Sequence, residues 1–248
     1  MLNFFPGRKR AFTLIEVMIA CFIMAMFMVG VYKLFIGGSK SAGRAQWISG
    51  TVDQMRNALT LLSREIKSST YPTTLFTDTF FDPCDNDDPS VPAQFYLRVL
   101  KVKEEIKPPS TGELKIMSWV VCEPEKYPEP GKIVKNELYL DALKTSSKQQ
   151  LGNLRLKSEA FKFSTDKTAG YARSGKLNLT PIPGETRSKV LVSDVQFVKF
   201  LVAGDIPPEK PVDFLPISIT IRTLYPKDER VYKENSIMAT PQVGIDTF

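Results

Sequence analysis

The most constraining feature of this 248-residue sequence is an apolar run from Phe12 to Ile36 that directly follows the basic stretch Arg8-Lys9-Arg10. The run contains one carboxylate, Glu16, near its start and one amine, Lys33, near its end. Because about 20 apolar residues in a helix span the hydrocarbon core of a bilayer, the run is long enough to cross a membrane. Cations on the N-terminal side of a span keep that side in the cytoplasm. The rest of the chain is therefore predicted to lie on the other side.

The start of the run resembles the processing motif of type IV pilins and type II secretion pseudopilins. The resemblance is carried by a short basic leader, the sequence Phe12-Thr13-Leu14-Ile15-Glu16, and the unbroken apolar stretch that follows. In that family a prepilin peptidase cuts before the phenylalanine and methylates the new N-terminus. The resemblance implies cleavage between Ala11 and Phe12 and N-methylation of Phe12. The family usually has glycine before the cut, whereas this chain has Ala11.

Glu16 is a carboxylate inside an apolar segment, where a charge is costly and usually serves a function. In the resembling family, the glutamate at this position pairs with the N-terminal amine of a neighbouring subunit and sets the axial register of the filament. The resemblance therefore assigns Glu16 to assembly, since a buried charge without its partner is strongly unfavourable. The alternative is a glutamate near the membrane surface that reaches water or takes a proton.

The composition argues against catalysis and against nucleic-acid binding. The chain contains no histidine, which excludes imidazole bases and imidazole metal ligands, and we predict no catalytic residue and no cofactor. Arg8, Lys9 and Arg10 account for three of the six net positive charges, so the remaining charges are nearly balanced. Without a basic stripe interleaved with aromatic residues, no nucleic-acid partner is expected.

Two cysteines, Cys84 and Cys122, lie in the part of the chain predicted to be exported. In an oxidising compartment an isolated pair of this kind predicts one structural disulfide, and the alternative is two unpaired thiols. The third cysteine, Cys21, lies in the apolar run, where a thiol behaves as a small apolar residue.

The densest group of carboxylates is a weak candidate for calcium, because calcium accepts several oxygen ligands from irregular loops. The spacing fits no EF-hand, and loops rich in aspartate, asparagine and proline usually form turns, so no metal site is predicted. The group consists of Asp82, Asp85, Asp87 and Asp88.

Residues 40–68 show the pattern of an amphipathic helix that ends before Pro72. Its apolar residues recur at spacings of three and four and therefore share one face. Gly37 and Gly38 separate this segment from the apolar run and leave two alternatives open, a bend and a short exit linker. The predicted apolar stripe consists of Ile48, Val52, Met55, Leu59, Leu62 and Ile66.

The remainder of the chain has the texture of short strands between loops that are rich in proline, glycine and charge. A helix followed by strands predicts an α+β fold of the pilin type, with a long N-terminal helix packed on a mostly antiparallel sheet. We expect a leader (1–11), a transmembrane or filament-core helix (12–36), its amphipathic continuation (37–68) and a periplasmic β-rich domain (69–248). The predicted strands are Phe95–Val102, Glu113–Val121, Glu137–Leu140, Lys189–Ala203 and Pro216–Thr223.

The helix segment Leu61–Ile66 and the late strands Val195–Phe200 and Leu215–Ile219 resemble the larger minor subunits of this family, the J-type pseudopilin and the W-type minor pilin. The resemblance implies a non-enzymatic minor subunit in the tip or initiation complex of a type IV pilus or a type II secretion pseudopilus. It would be a single-pass inner-membrane protein before assembly and part of a filament afterwards. The implied partners are prepilin peptidase, other major and minor subunits, the inner-membrane assembly platform and membrane lipid. The alternative is an anchored periplasmic binding or sensor domain whose span is never cut.

Overall fold

The computed structural model describes residues 13–70, 96–123, 131–143, 150–163, 179–203 and 215–247. Within these residues the chain forms one long helix followed by ten strands, which confirms the predicted α+β class. The elements are α1 (Leu14–Lys67), β1 (Leu97–Val99), β2 (Glu105–Ile106), β3 (Glu113–Glu123), β4 (Lys132–Ala142), β5 (Gly152–Phe163), β6 (Leu179–Pro181), β7 (Arg187–Val202), β8 (Ile217–Leu224), β9 (Tyr232–Ala239) and β10 (Ile245–Thr247).

The chain divides into two compact units, Met1–Trp47 and Ile48–Phe248. The first unit contains the N-terminal part of α1, and the second contains the rest of α1 together with every described strand. α1 continues as helix through Gly37 and Gly38, so neither glycine interrupts it. The predicted boundaries after residues 11, 36 and 68 remain predictions.

The strands form one sheet whose main path is β10-β1-β3-β4-β5-β7-β8-β9. β2 lies beside β7, and β6 lies beside β5. The pair between β1 and β10 is parallel, and the other described pairs are antiparallel, as predicted. All five predicted strands overlap observed ones, whereas β2, β5, β6, β9 and β10 were not predicted.

The C-terminal part of α1 packs its apolar stripe on the sheet. Four residues of the predicted stripe are buried, and the first two, Ile48 and Val52, are half-buried. Small side chains on the same face, such as Ala58 and Ser63, are buried as well and let the helix approach the sheet closely. The core joins the helix residues Met55, Leu59, Leu62 and Ile66 to strand residues that include Ile116, Trp119, Phe200 and Ile219.

The chain is fastened to β3 where it leaves the helix. Ser69 Oγ donates a hydrogen bond of 2.6 Å to the carbonyl oxygen of Ile66, which satisfies an acceptor of the last helical turn. Thr70 N donates to Val120 O over 3.1 Å, and Cys122 N donates to Thr70 Oγ1 over 2.9 Å. These bonds fix the direction in which the chain leaves α1.

β7 is bulged near its middle, at Asp194, whose φ of 56° lies in the left-handed region that aspartate tolerates better than most residues. The pairing with β8 shifts register between Val195 and Phe197, and the pairing with β5 shifts between Gly152 and Leu154. An extra residue of this kind bends a strand and increases its twist. The bulge therefore separates a first half of β7, paired with β5, from a second half, paired with β8.

Replacing Gly152 with alanine is expected to lower the free energy of unfolding by about 1–3 kcal/mol. A Cβ at this position would lie 2.5 Å from the carbonyl oxygen of Asp141 and 2.8 Å from Pro108 Cβ, so β4 or the segment at Pro108 would have to move. Urea denaturation measures the loss. Gly50→Ala is the matched control, because a Cβ there meets nothing within 4 Å, and it should be neutral or stabilising by up to about 1 kcal/mol. Equal stability of the two variants would contradict this account.

Candidate functional site

The first turn of α1 is closed by Thr13 and Glu16, which form a capping box. Thr13 N donates to Glu16 Oε2 over 2.9 Å, and Thr13 Oγ1 donates to the same oxygen over 3.0 Å. Glu16 N in turn lies 3.4 Å from Thr13 Oγ1. This reciprocal arrangement satisfies backbone donors that have no partner within the helix, and it places a carboxylate at the positive end of the helix dipole. The Thr-x-x-Glu spacing therefore fixes both the start of the helix and the orientation of the carboxylate.

Only one oxygen of the Glu16 carboxylate accepts hydrogen bonds from the described residues. Oε2 accepts both bonds from Thr13, and among the described residues no donor reaches Oε1. A carboxylate oxygen has two acceptor sites. Oε1 is thus the atom through which Glu16 can pair with a cation from outside the described residues.

The helix surface around Glu16 is apolar and unburied. Every side chain from Thr13 to Phe35 is exposed, and this segment of α1 is apolar and long enough to span a membrane. On one side, the small residues Ala20 and Cys21 leave a shallow groove of about 320 Å³ next to Glu16. The exposed apolar surface of residues 13–35 is too large to remain in contact with water. Lipid or other helices must cover it, and small residues are where helices approach one another in a membrane.

Comparison with known families supports the resemblance. Residues 6–32 match the family described as "Prokaryotic N-terminal methylation motif". The chain carries this methylation motif. The motif supports a type IV pilin-like or pseudopilin subunit, and in general it implies processing by prepilin peptidase and assembly with other pilin subunits. Together with the apolar N-terminal helix, it also indicates membrane anchoring. Neither the curated proteins nor the solved structures gave a match to the chain.

Several predicted site residues lie outside the described part of the structure. They are the two residues of the proposed cleavage site, one cysteine of the predicted disulfide, and the weak calcium candidates. Among the described residues, no cluster of three or more cysteine, aspartate or glutamate side chains is placed to hold a metal ion. The residues outside are Ala11, Phe12, Asp82, Cys84, Asp85, Asp87 and Asp88.

Cys122 is buried where the chain leaves α1. Its Sγ donates to the carbonyl oxygen of Thr70 over 3.5 Å. Burial raises the pKa of the Cys122 thiol to about 11, and the contact with Thr70 opposes that rise only in part. The reduced side chain is therefore a neutral, weakly reactive thiol at neutral pH. The pairing of Cys122 with Cys84 stays a prediction.

A network of charged side chains covers one face of β3, β4 and β5. Its centre is Arg155, whose Nε and Nη2 donate to the two carboxylate oxygens of Asp141 over 2.6 and 3.0 Å. The same guanidinium contacts Glu113 and lies 5.3 Å from the ring centre of Tyr139. The hydrogen bond to Asp141 raises the pKa of Arg155. Because its charges are paired across adjacent strands, the network stabilises the sheet.

Glu137 lies in the same network and is held as a carboxylate. Tyr139 Oη donates to Oε2 over 2.8 Å, and Lys135 Nζ lies 3.0 Å from Oε1. Burial alone would raise the pKa of Glu137, but the bonds from Tyr139 and Lys135 and the positive charges nearby outweigh it, so the pKa is lowered. Burial and the bond to Glu137 raise the pKa of Tyr139 to about 12.

Glu137→Gln is expected to reduce the free energy of unfolding at neutral pH by about 1 kcal/mol, because the charge-assisted bonds are lost. Since the folded state lowers the pKa of Glu137, its contribution is complete above the ordinary glutamate pKa of about 4.3 and is lost as the pH falls below it. Urea denaturation at neutral pH and again below about pH 4 should therefore show the two proteins converging in acid. Glu104→Gln, which alters only the exposed pair with Lys101, should change little at either pH. If the free energies of unfolding of the unaltered protein and Glu137→Gln differed by the same amount at neutral and acid pH, Glu137 would not be held as a stabilising carboxylate.

Proposed function

We propose that this chain is a minor pilin or pseudopilin, a structural subunit that assembles through its N-terminal helix into a type IV pilus or a type II secretion pseudopilus. The observation that carries the proposal is the Thr13–Glu16 capping box at the start of an exposed apolar helix, inside the matched methylation motif. This arrangement presents an oriented carboxylate on a surface that lipid or neighbouring helices must cover.

The capping box suggests how subunits find their register. Thr13 holds Oε2, so the carboxylate cannot rotate freely, and Oε1 is left for the N-terminal amine of Phe12 in a neighbouring subunit. In the low dielectric of packed helices such a charge pair is much stronger than in water. A neighbour displaced along the axis would leave both charges unpaired, which is strongly unfavourable. The pair therefore favours one axial position over all others.

Processing makes that amine available. Cleavage between Ala11 and Phe12 would remove the basic leader and place a new cation one residue before Thr13, the residue that precedes α1. Before cleavage, the cations at residues 8–10 would hold the leader in the cytoplasm and direct residues after the span into the periplasm. Cleavage would thus convert an inner-membrane anchor into a subunit that is competent to assemble.

The test is intact mass and N-terminal sequencing of the protein purified from its native membranes. We expect a chain that begins at N-methylated Phe12. Ala11→Gly should be processed at the same bond, and Ala11→Lys should keep its leader, which provides the unprocessed reference. A native chain that retains Arg8-Lys9-Arg10 would support the alternative of a permanently anchored binding or sensor domain.

The minor role rests on size. The chain has 248 residues, and the described residues of its second compact unit, Ile48–Phe248, form a ten-stranded sheet, whereas major subunits of the resembling family are usually shorter. Quantitative mass spectrometry of sheared filaments should find this chain at far lower abundance than the principal subunit, consistent with a place in the tip or initiation complex. Equal abundance would argue for a major subunit.

A further inference from the structure

The first half of β7 has an open edge. Residues 187–195 pair with β5 on one side. On the other side, β7 pairs with β8 only from Val195 to Val202, because β8 ends opposite the bulge at Asp194. Within the described parts of the chain, no strand lies on that side of residues 187–193. Alternate main-chain N–H and C=O groups along such an edge point outward and have no ladder partner.

A groove lies along this edge, between β7 and α1. Its volume is about 370 Å³. α1 forms one side of the groove, where Gln54 and Asn57 present amide groups, and β7 forms the opposite side. The described lining residues are Gln54, Asn57, Ala58, Leu61, Lys189, Val190, Leu191 and Ser193. The groove therefore joins a row of main-chain hydrogen-bonding groups to a partly apolar surface, as strand-addition sites do.

The side chains of this edge favour pairing with an acidic strand over pairing with a second copy of the chain. Basic side chains and bulges on an exposed strand edge oppose pairing with an identical edge. The pairing of this segment with β5 also shifts register between Leu154 and Arg155. Here Val190 is 46% exposed at the centre of the open segment. The nearest charged side chains on the strand, Arg187 and Lys189, are both basic and exposed, and no described carboxylate forms an ion pair with either. Among the described lining residues, Lys189 is the one charged side chain.

We propose that residues 187–193 of β7 bind an extended, acidic segment of another protein, which adds to the sheet as a new strand beside α1. Main-chain hydrogen bonds to the open edge hold the segment. Its apolar side chains contact Val190 and Leu61, and its carboxylates face Arg187 and Lys189. The occupant is acidic because the one charged side chain among the described lining residues, Lys189, is a cation, and Arg187, two residues before it on the same strand, is a second. This proposal does not depend on filament assembly, since the groove lies wholly within the second compact unit.

Amide hydrogen exchange on the full chain in mild detergent tests the proposal. The probe is a synthetic peptide as long as residues 187–193 in which valine alternates with glutamate and threonine, and its counterpart carries lysine in place of glutamate. We expect the acidic peptide to slow exchange at residues 187–193, and the basic peptide to bind at least about tenfold more weakly. Val190→Glu, which removes the apolar contact and adds a charge that repels the acidic peptide, should weaken binding of that peptide by about tenfold.

Leu201→Glu is the matched control, because Leu201 is an exposed apolar residue on the second half of β7, where β8 occupies the edge. It should leave peptide binding unchanged while Lys189→Glu weakens it. Three outcomes would overturn the proposal. Protection, without peptide, of those amides of residues 187–193 that do not bond to β5 would mean that the chain covers its own edge. Protection that depends on protein concentration alone would mean that a second copy occupies the groove. Equal binding of the acidic and basic peptides would remove the basis for an acidic partner.

Discussion

Glu16→Ala is expected to reduce filament assembly or secretion by at least about tenfold while leaving membrane insertion intact. The variant removes the carboxylate whose Oε1 we assign to the amine of a neighbouring subunit, so that amine would enter a low-dielectric environment without a partner. The apolar length of the helix, which drives insertion, is unchanged. Sheared filaments, or the secreted protein in a secretion system, measure the first quantity, and membrane fractionation measures the second.

Two companion variants separate register from helix capping. Thr13→Val removes the donor hydroxyl but keeps the shape, so it should cost about 1 kcal/mol of cap energy and lower assembly less than Glu16→Ala does. Thr13→Ser keeps the hydroxyl and should assemble normally. Asp53→Ala removes an exposed carboxylate from the same helix and is the matched control. If Glu16→Ala assembles as well as Asp53→Ala, Glu16 does not set the register.

Periodic apolar residues made the helix and its buried face predictable. Met55, Leu59, Leu62 and Ile66 recur at helical spacing, and the structure buries all four. The helix was also predicted to end before Pro72, and α1 ends at Lys67. The same pattern carried no information about Thr51 and Ser63, which are buried on this face although they are polar. Their burial reflects how closely the helix approaches the sheet, a property of the packed pair.

The missed strands depend on partners that are distant in sequence. β5 presents Arg155, Lys157 and Glu159 on one face, a pattern that by itself is typical of a charged loop. In the structure, Arg155 lies opposite Tyr139 of β4 and donates a hydrogen bond to Asp141 of the same strand. β9 is an edge strand with mostly exposed side chains, so it lacks the apolar alternation that identified β8. In both cases cross-strand pairing, which sequence alone does not reveal, stabilises the strand.

The candidate site was predicted only in part for a related reason. Glu16 was identified because a charge in an apolar run is unusual. Thr13 was not identified as a partner, although the Thr-x-x-Glu pattern is a recognised signature of a capping box and was available in the sequence. The open edge of β7 had no such signature, since it results from where β8 ends relative to the bulge at Asp194.

Leu62→Ala is expected to destabilise the second compact unit by about 2–5 kcal/mol. Leu62 is 0% exposed and belongs to the core that joins α1 to the sheet, so truncation leaves a cavity that surrounding strands cannot easily fill. Urea denaturation of the full chain in mild detergent measures the loss. Trp119 is also buried in that core, and in a Trp47→Phe background its fluorescence reports unfolding of this unit.

Leu61→Ala is the matched control, because it removes the same atoms one position along the same helix, from a half-buried side chain that lines the groove beside β7. It should cost less than about 1.5 kcal/mol, since part of that surface is already in contact with water. If the sheet were stable without the helix, Leu62→Ala and Leu61→Ala would lower the free energy of unfolding by similar, small amounts. A much larger effect of Leu62→Ala would instead show that the amphipathic half of α1 is a structural part of the sheet domain.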